Sequence, residues 1–465
     1  MKTVITISVC LLLAVQTLGQ MAEKYDSKKV YEYSTTIQDA VKDEIWTGFD
    51  FRRFTGLKTS EPGKNFLYFS TQPDKDGNQN FAWTLIDDYF LNHTLEENLA
   101  ITFHEAFHAF EGDPKREGVK WGAENAMLVF EYQESSARAG ALFNIESQIL
   151  RDALQTKNKN DLKKKVAEFL AVRTLRQSEL EPRFVEFEKG AESNEGLAEY
   201  AGTKAVALGI ESAAKKRIAV PFSDANAKDY LNKKYEILDS ITNVGKNIRR
   251  KFYSTGSAQG FLLDRLMPDW KAQVQMNGKA VQDLLAESNG KSLSQIRTEN
   301  ILNAYSYEKI LAEEEKSVAA RKADNQTLLE KTLNQSGKKI VIVYSALTKP
   351  AGIRNFDPMN VTMISPKLRV HTRSVSFTGK DSFMANFSQP VVEDLENKRY
   401  TVVVAENEIE NITADGAALD LNKPSKIRFL KNLRITAENF NLEAVQGNIE
   451  IESGIITIHL LDPGQ

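Results

Sequence analysis

The sequence predicts an α+β protein, with a predominantly helical region that contains a small β-sheet, followed by an all-β, sandwich-like C-terminal domain. Three observations support this prediction. Helical periodicity dominates between residues 125 and 330, strand-like runs occur between residues 65 and 86, and β-branched residues become frequent after Lys338. With 465 residues, 42% of them hydrophobic and 26% charged, the chain can bury more than one core.

Residues 1–20 have the pattern of a signal peptide. Lys2 precedes an apolar run from Val4 to Val15, and small residues follow that favour cleavage near residue 19 or 20. The apolar run is too short to span a bilayer, and no later segment is apolar enough to do so. We therefore expect a secreted or periplasmic protein without a transmembrane segment after cleavage.

Composition narrows the chemistry that is available to this chain. The only cysteine, Cys10, lies inside the predicted signal peptide, so the mature chain would offer neither disulfides nor thiolate ligands. Any metal must then be bound by histidine, glutamate or aspartate. The net charge of −3 is close to neutral for this length and argues against nucleic acid as a partner.

The first elements follow one another closely. Helical periodicity runs over residues 31–45, and strands are predicted at residues 65–70 and 81–86, joined as a hairpin. An edge strand of such a sheet could hold an extended substrate by main-chain pairing. The next helix begins at the capping box Thr94–Glu97 and ends near Gly112.

The rest of the chain divides into a helical part and a β part. Further helices are predicted at residues 125–154, 161–180, 193–208, 227–250, 256–266 and 280–330. Strands are predicted at residues 340–344, 368–377 and 400–404, with a closing hairpin over 449–458. We expect a predominantly helical domain at 21–312, a linker helix at 313–338 and a β-sandwich accessory domain at 339–465.

The second predicted helix carries a metal-binding pattern, His104-Glu105-Ala106-Phe107-His108. Histidines four positions apart lie on one face of a helix, one turn from each other, and can bind a single metal ion. Glu105 lies about 100° around the helix from His104 and can reach a metal-bound water as a general base. The chain has five histidines, so this spacing with a glutamate in the required position favours a metal site.

A hydrolytic zinc site typically has three protein ligands, so a third ligand is needed. Because cysteine is absent and the remaining histidines lie outside the helical core, we expect a carboxylate. Two candidates are Glu131, on the next predicted helix, and Glu195, in an Asn-Glu-Gly segment. Glu199 lies one turn beyond Glu195 and is predicted to accept a hydrogen bond from the far ring nitrogen of His104.

Three segments in order resemble the glutamate-zincin metallopeptidases: His-Glu-Ala-Phe-His at 104–108, Asn-Glu-Gly-Leu-Ala-Glu-Tyr at 194–200, and Tyr-Ser-Thr-Gly at 253–256. The resemblance is to the aminopeptidase N and glycyl aminopeptidase branch, and it covers roughly residues 25–300. It implies a zincin-like domain with a long helical insertion, and Zn²⁺ as the cofactor. It also implies Glu195 rather than Glu131 as third ligand, and Tyr253 as the donor to the oxyanion.

The resulting hypothesis is an exported zinc metallopeptidase that acts on a peptide or protein substrate. The Gly-x-Met-Glu-Asn segment that binds a free amino terminus in that branch is not visible before the helix, so endopeptidase and exopeptidase activity both stay open. Two alternatives remain. One is an inactive zincin-like scaffold whose β domain binds a surface glycan or protein, and the other is a zinc hydrolase of a non-peptide substrate.

Overall fold

The computed structural model describes residues 25–61, 64–71, 82–125, 128, 132, 136–239, 249–290, 297–356 and 360–464. The chain forms two compact units. Of the described residues, the helical unit comprises those within 25–128, 139–239 and 249–308, and the β unit comprises those within 132–138 and 309–464. The predicted α+β class, with a helical domain and a β domain, is confirmed. The predicted signal peptide lies outside the described residues.

Thirteen α-helices, named α1 to α13, form in the described part of the chain. They span Ser27–Val41, Phe51–Phe54, Asp87–Phe90, Leu95–Glu111, Ala137–Gln155, Lys159–Gln177, Pro182–Ala214, Ala227–Lys234, Arg249–Leu266, Trp270–Asn277, Val281–Asn289, Thr298–Ala304 and Tyr307–Leu333. None of these helices is long and apolar enough to cross a membrane.

A small antiparallel sheet precedes helix α4. Its strands are β1 (Thr55–Glu61), β2 (Lys64–Ser70) and β3 (Ala82–Ile86), in the order β1-β2-β3. The predicted pairing of the second and third strands is confirmed, with Leu67 opposite Leu85. Strand β1 was not predicted, because Gly56 and Lys58 interrupt the apolar alternation that marks a strand.

Helix α4 has the predicted capping box. The Thr94 amide donates to Glu97 Oε2 at 2.8 Å, and the Glu97 amide donates to Thr94 Oγ1 at 3.3 Å. Phe103 and Phe107 on one face are fully buried, and Phe107 packs edge-on against Trp46 with ring centroids 5.2 Å apart. This aromatic packing fixes the rotation of α4 and turns the His104 face towards helix α7.

Several predicted helix boundaries are wrong, and two of them concern helices α5 and α7. Helix α7 begins at Pro182, a residue favoured in the first turn, rather than at Ser193, so the Asn-Glu-Gly segment lies in the middle of a 33-residue helix. The second concerns the helix predicted from Asn125, because that residue is not helical in the structure. Helix α5 begins only at Ala137.

Helix α7 is held by close helix contacts and by buried ion pairs. A Cβ on Gly202 would lie 2.3 Å from the Ala100 carbonyl oxygen of α4, and one on Gly196 would lie 2.6 Å from Gly256 Cα of α9. In the interior, Arg173 donates to Glu192 at 2.7 Å, and Arg176 donates to Glu188 at 2.5 Å. Both guanidinium groups also donate to Glu146, and all five side chains are at most 1% exposed.

The β unit contains fifteen described strands, β4 to β18, in two sheets. The first sheet has the order β14-β17-β18-β4-β11-β10-β7-β6, and the second β13-β12-β15-β16-β9-β8-β5. The strands span Lys338–Val343, Ala351–Phe356, Val361–Ser365, Leu368–His371, Val375–Gly379, Phe383–Phe387, Val391–Asp394, Arg399–Val404, Ile409–Ala414, Ala417–Ala418, Ser425–Phe429, Leu433–Ala437, Phe440–Ala444, Gly447–Glu452 and Ile455–Leu460.

The two sheets share one apolar core, as a sandwich requires. Phe377 of β8 stacks on Tyr400 of β11 with ring centroids 4.0 Å apart, which joins one sheet to the other. The predicted closing hairpin is confirmed, with Ile449 opposite Ile458. The predicted strand over residues 368–377 is wrong, because Ser374 has a φ of 43° and separates β7 from β8.

Candidate metal centre

Three ligand-type side chains meet between helices α4 and α7. His108 Nε2 lies 3.1 Å from His104 Nε2 and 3.2 Å from Glu195 Oε2, and His104 Nε2 lies 3.5 Å from the same oxygen. The exposed fraction is 3% for the His104 side chain, 17% for His108 and 8% for Glu195. This largely buried group could hold a metal ion.

Glu199 lies beside His104, but the hydrogen bond that the sequence predicted between them does not form within the described residues. Its Oε2 is 3.4 Å from His104 Nδ1, the ring nitrogen that faces away from the cluster. Its Oε1 is 2.6 Å from Lys234 Nζ at the end of helix α8. Such a carboxylate orients an imidazole ligand and fixes its tautomer.

Glu111 has the equivalent position beside His108, and the sequence reasoning missed it. Its Oε2 lies 3.6 Å from His108 Nδ1, and the residue is 6% exposed. The signal was present in the sequence, because Glu111 follows His108 by three positions and neighbours at that spacing share a helix face. Each histidine of the cluster therefore has its own carboxylate partner.

Arg249, at the start of helix α9, holds the third ligand and was also missed. Its Nη2 donates to Glu195 Oε1 at 2.6 Å, which leaves Oε2 facing the two histidines. The same guanidinium donates to both oxygens of Glu124, at 2.6 and 2.7 Å, and Asn194 Nδ2 adds a contact at 3.3 Å. Arg249 thus orients Glu195 so that one carboxylate oxygen is available to an ion.

A cleft of about 540 Å³ opens beside the cluster. Glu105, which is partly exposed, lines it together with His108, Glu195 and Arg249. The extended segment Lys120–Glu124 forms one wall. Glu105 therefore borders the same open space as the candidate ligands, as a group that exchanges protons with a bound water must.

Tyr253 lies within helix α9, whereas the predicted helices 227–250 and 256–266 left it between them. Its ring stacks on the His104 ring, with centroids 5.5 Å apart and planes inclined by 13°. Burial, followed by the charge of Glu195, raises the pKa of the Tyr253 phenol well above its usual value, so the hydroxyl stays protonated. Glu131, the alternative third ligand, lies outside the described residues.

The charges of the cluster shift its ionisation strongly. Burial opposes protonation of His108, but Glu111 and Glu195 outweigh burial and raise the pKa of His108 to about 10 in the metal-free chain. Burial also raises the pKa of Glu111, to about 7, despite the nearby imidazole. The two histidines overcome burial at Glu195 and hold its pKa far below the usual range. In the metal-free protein, protons therefore occupy imidazole nitrogens that a metal ion would need.

No protein-family profile, curated protein or solved structure matches this chain.

Proposed function

We propose that this protein is a zinc-dependent metallopeptidase, with His104, His108 and Glu195 as the ligands. One observation carries the proposal. Ligand atoms about 2.0–2.1 Å from a tetrahedral zinc ion lie about 3.3–3.4 Å from one another. The three atoms here are 3.1, 3.2 and 3.5 Å apart, although Glu195 comes from a different helix than the histidines.

Bound zinc would lower the pKa of a coordinated water from about 15.7 towards about 7. Glu105, on the wall of the cleft, would take the proton of that water and pass it to the leaving amine. Tyr253, which keeps its proton, would donate a hydrogen bond to the oxyanion that forms from the substrate carbonyl. Glu199 and Glu111 would hold the two imidazoles in the tautomer that leaves Nε2 free.

The substrate proposed for the cleft is a peptide or protein, outside the cytoplasm. The volume of the cleft, about 540 Å³, is in the range of sites that hold a few residues of a ligand. An exported location is supported by the signal-peptide pattern at residues 1–20.

The decisive experiment compares Glu105→Gln with the wild type. We expect the variant to keep its zinc, measured by metal analysis, and to lose turnover of a peptide library by about 10²–10⁴-fold, because only the proton acceptor is removed. Glu186→Gln, which changes a 75% exposed glutamate, is the matched control. Unchanged turnover in Glu105→Gln would overturn the mechanism, and bound zinc without any turnover in the wild type would favour the inactive-scaffold alternative.

A second pair of variants tests the third ligand. Glu195→Ala should lose zinc, whereas Glu131→Ala should keep it at full stoichiometry. The reverse result would assign the third ligand to Glu131.

A further inference from the structure

A second cavity in the helical unit, of about 820 Å³, shares no lining residue with the cleft at the metal centre. The C-terminal turn of helix α5 and the loop after it form one wall. Helix α8 forms the opposite wall, and helix α9 closes the cavity with Phe261 and Arg265. The proposed peptidase activity makes no use of this space.

The charges around this cavity are unbalanced. Four cationic side chains line it, and the one acidic residue among the lining residues, Glu211, is 3.6 Å from Lys215, which lies outside the cavity. Lys157 and Lys228 form no ion pair with any residue in the described part of the chain. The excess charge is therefore positive.

Neither arginine of the lining donates a hydrogen bond to a carboxylate within the described residues, and the one ion pair joins Arg151 to the exposed Asp239. Arg265, which is exposed, donates to the backbone carbonyl oxygens of Ala153, Leu154 and Thr156, which are neutral acceptors. Arg151, which is 8% exposed, donates Nη1 to the Asn232 carbonyl oxygen at 2.7 Å. Its Nε makes no hydrogen bond within the described residues, and the Asp239 carboxylate is 3.8 Å away. Of the two, Arg151 is buried, and a buried guanidinium usually donates to a carboxylate or phosphate, so an anion is the chemical complement of this site.

The remaining lining is apolar. Leu154, Leu231, Tyr235 and Phe261 contribute to it, and the Tyr235 hydroxyl is already bonded to the buried Ser257 at 2.8 Å, so the tyrosine offers its ring. The Tyr235 and Phe261 rings pack edge-to-face, with centroids 5.8 Å apart. A ligand that satisfies this cavity must therefore combine an anionic group with an apolar body.

We propose that this cavity binds a small organic carboxylate with an apolar or aromatic body. The carboxylate would lie among the cationic groups, and the apolar body would lie against the Tyr235 and Phe261 rings. The cavity volume matches that of small-molecule sites, which combine apolar walls with a few fixed polar groups.

The test measures binding of 4-phenylbutyrate by equilibrium dialysis at low salt, beside the matched neutral probe 4-phenylbutanol and inorganic phosphate. The protein is stripped of metal first, so that the carboxylate cannot bind at the metal centre. This assay does not depend on catalysis, so its result is independent of the proposed peptidase activity.

We expect saturable binding of 4-phenylbutyrate, with the alcohol and phosphate each binding at least about tenfold more weakly. The double variant Lys157→Gln/Lys228→Gln should weaken binding of the acid by about tenfold, and Phe261→Ala should weaken it as well. The control Lys159→Gln/Lys164→Gln, which removes two exposed lysines outside the cavity, should leave it unchanged. The proposal would be overturned if 4-phenylbutyrate did not bind saturably, or if the alcohol or phosphate bound as tightly as 4-phenylbutyrate. It would also be overturned if the double variant Lys157→Gln/Lys228→Gln bound the acid as tightly as the wild type.

Discussion

Arg249 provides the sharpest test of how this site is built. The substitution Arg249→Gln removes the guanidinium that donates to Glu195 Oε1 at 2.6 Å and leaves that oxygen without its charged donor. Glu195 can then rotate, and the single oxygen that faces His104 and His108 is no longer fixed. We expect zinc affinity to fall about 10–100-fold, the usual loss when the partner of a metal ligand is removed.

The free-energy cost can be worked out from the same contacts. One charged hydrogen bond contributes about 1.5–3 kcal/mol, and the lower end applies here because the Arg249 side chain is 24% exposed. A loss of about 1.4–2 kcal/mol in zinc binding corresponds to about 10–30-fold in the dissociation constant. Competition with a zinc-binding dye measures that change directly, without any need for catalysis.

Protein stability must be separated from metal affinity, because Arg249→Gln also leaves Glu124, 2% exposed, without its cation. That stranded charge should lower the free energy of unfolding of the metal-free protein by about 3 kcal/mol. The double variant Glu124→Gln/Arg249→Gln removes the charge and should recover most of this stability, but not the zinc affinity. Arg52→Gln, an arginine paired with carboxylates outside the site, is the matched control. Wild-type zinc affinity in either Arg249 variant would refute the reasoning.

Three further outcomes are expected. Glu199→Ala and Glu111→Ala should each weaken zinc binding about 10–100-fold in dye competition, and no change in both would show that these carboxylates do not act on the imidazoles. The pKa of His108 is raised to about 10 in the metal-free protein, so this imidazole is protonated at neutral pH. Its protonation stabilises the metal-free fold fully below the ordinary histidine pKa, and the effect is lost as the pH rises through about 10. Zinc must therefore displace a proton from His108 at neutral pH. Zinc affinity should therefore fall as pH is lowered from about 9 to about 6, with proton release seen by calorimetry in buffers of different ionisation enthalpy, and a pH-independent affinity would contradict this. Gly256→Ala should destabilise the protein by about 1–3 kcal/mol in thermal unfolding, because its Cβ would lie 2.4 Å from the Glu192 carbonyl oxygen, whereas Gly352→Ala, with open space around it, should not.

Local signals in the sequence predicted the elements that depend on local interactions. Helix α4 could be predicted because its capping box and its metal-binding pattern lie within one continuous segment. Helix α7 was predicted too short, because Asn194 and Gly196 look like helix-breaking residues when read alone. Gly196 is in fact required by the approach of helix α9, a contact between residues that are far apart in the chain.

The same distinction applies to the site. The structure brings Glu195, Glu199 and Tyr253 to the two histidines, and the family resemblance had already pointed to the first and last of these. Arg249 and Glu124 could not be found from the sequence, because neither belongs to a motif and they are 125 positions apart. Only the tertiary fold shows that one guanidinium connects Glu124 to the candidate third ligand.

The glutamates of helix α7 have a consequence for the protein as a whole. Four of them follow one another at intervals of four, three and four residues, which places them in a single stripe along the helix. A cation from a different part of the chain neutralises each one: Glu188 with Arg176, Glu192 with Arg173, Glu195 with Arg249 and Glu199 with Lys234. A bound divalent metal ion would add one more positive charge centre beside these glutamates. When the ion leaves, protons on His104 and His108 would supply positive charge in its place. The helix would then keep its position when the metal is lost, and the site could bind a new ion without refolding.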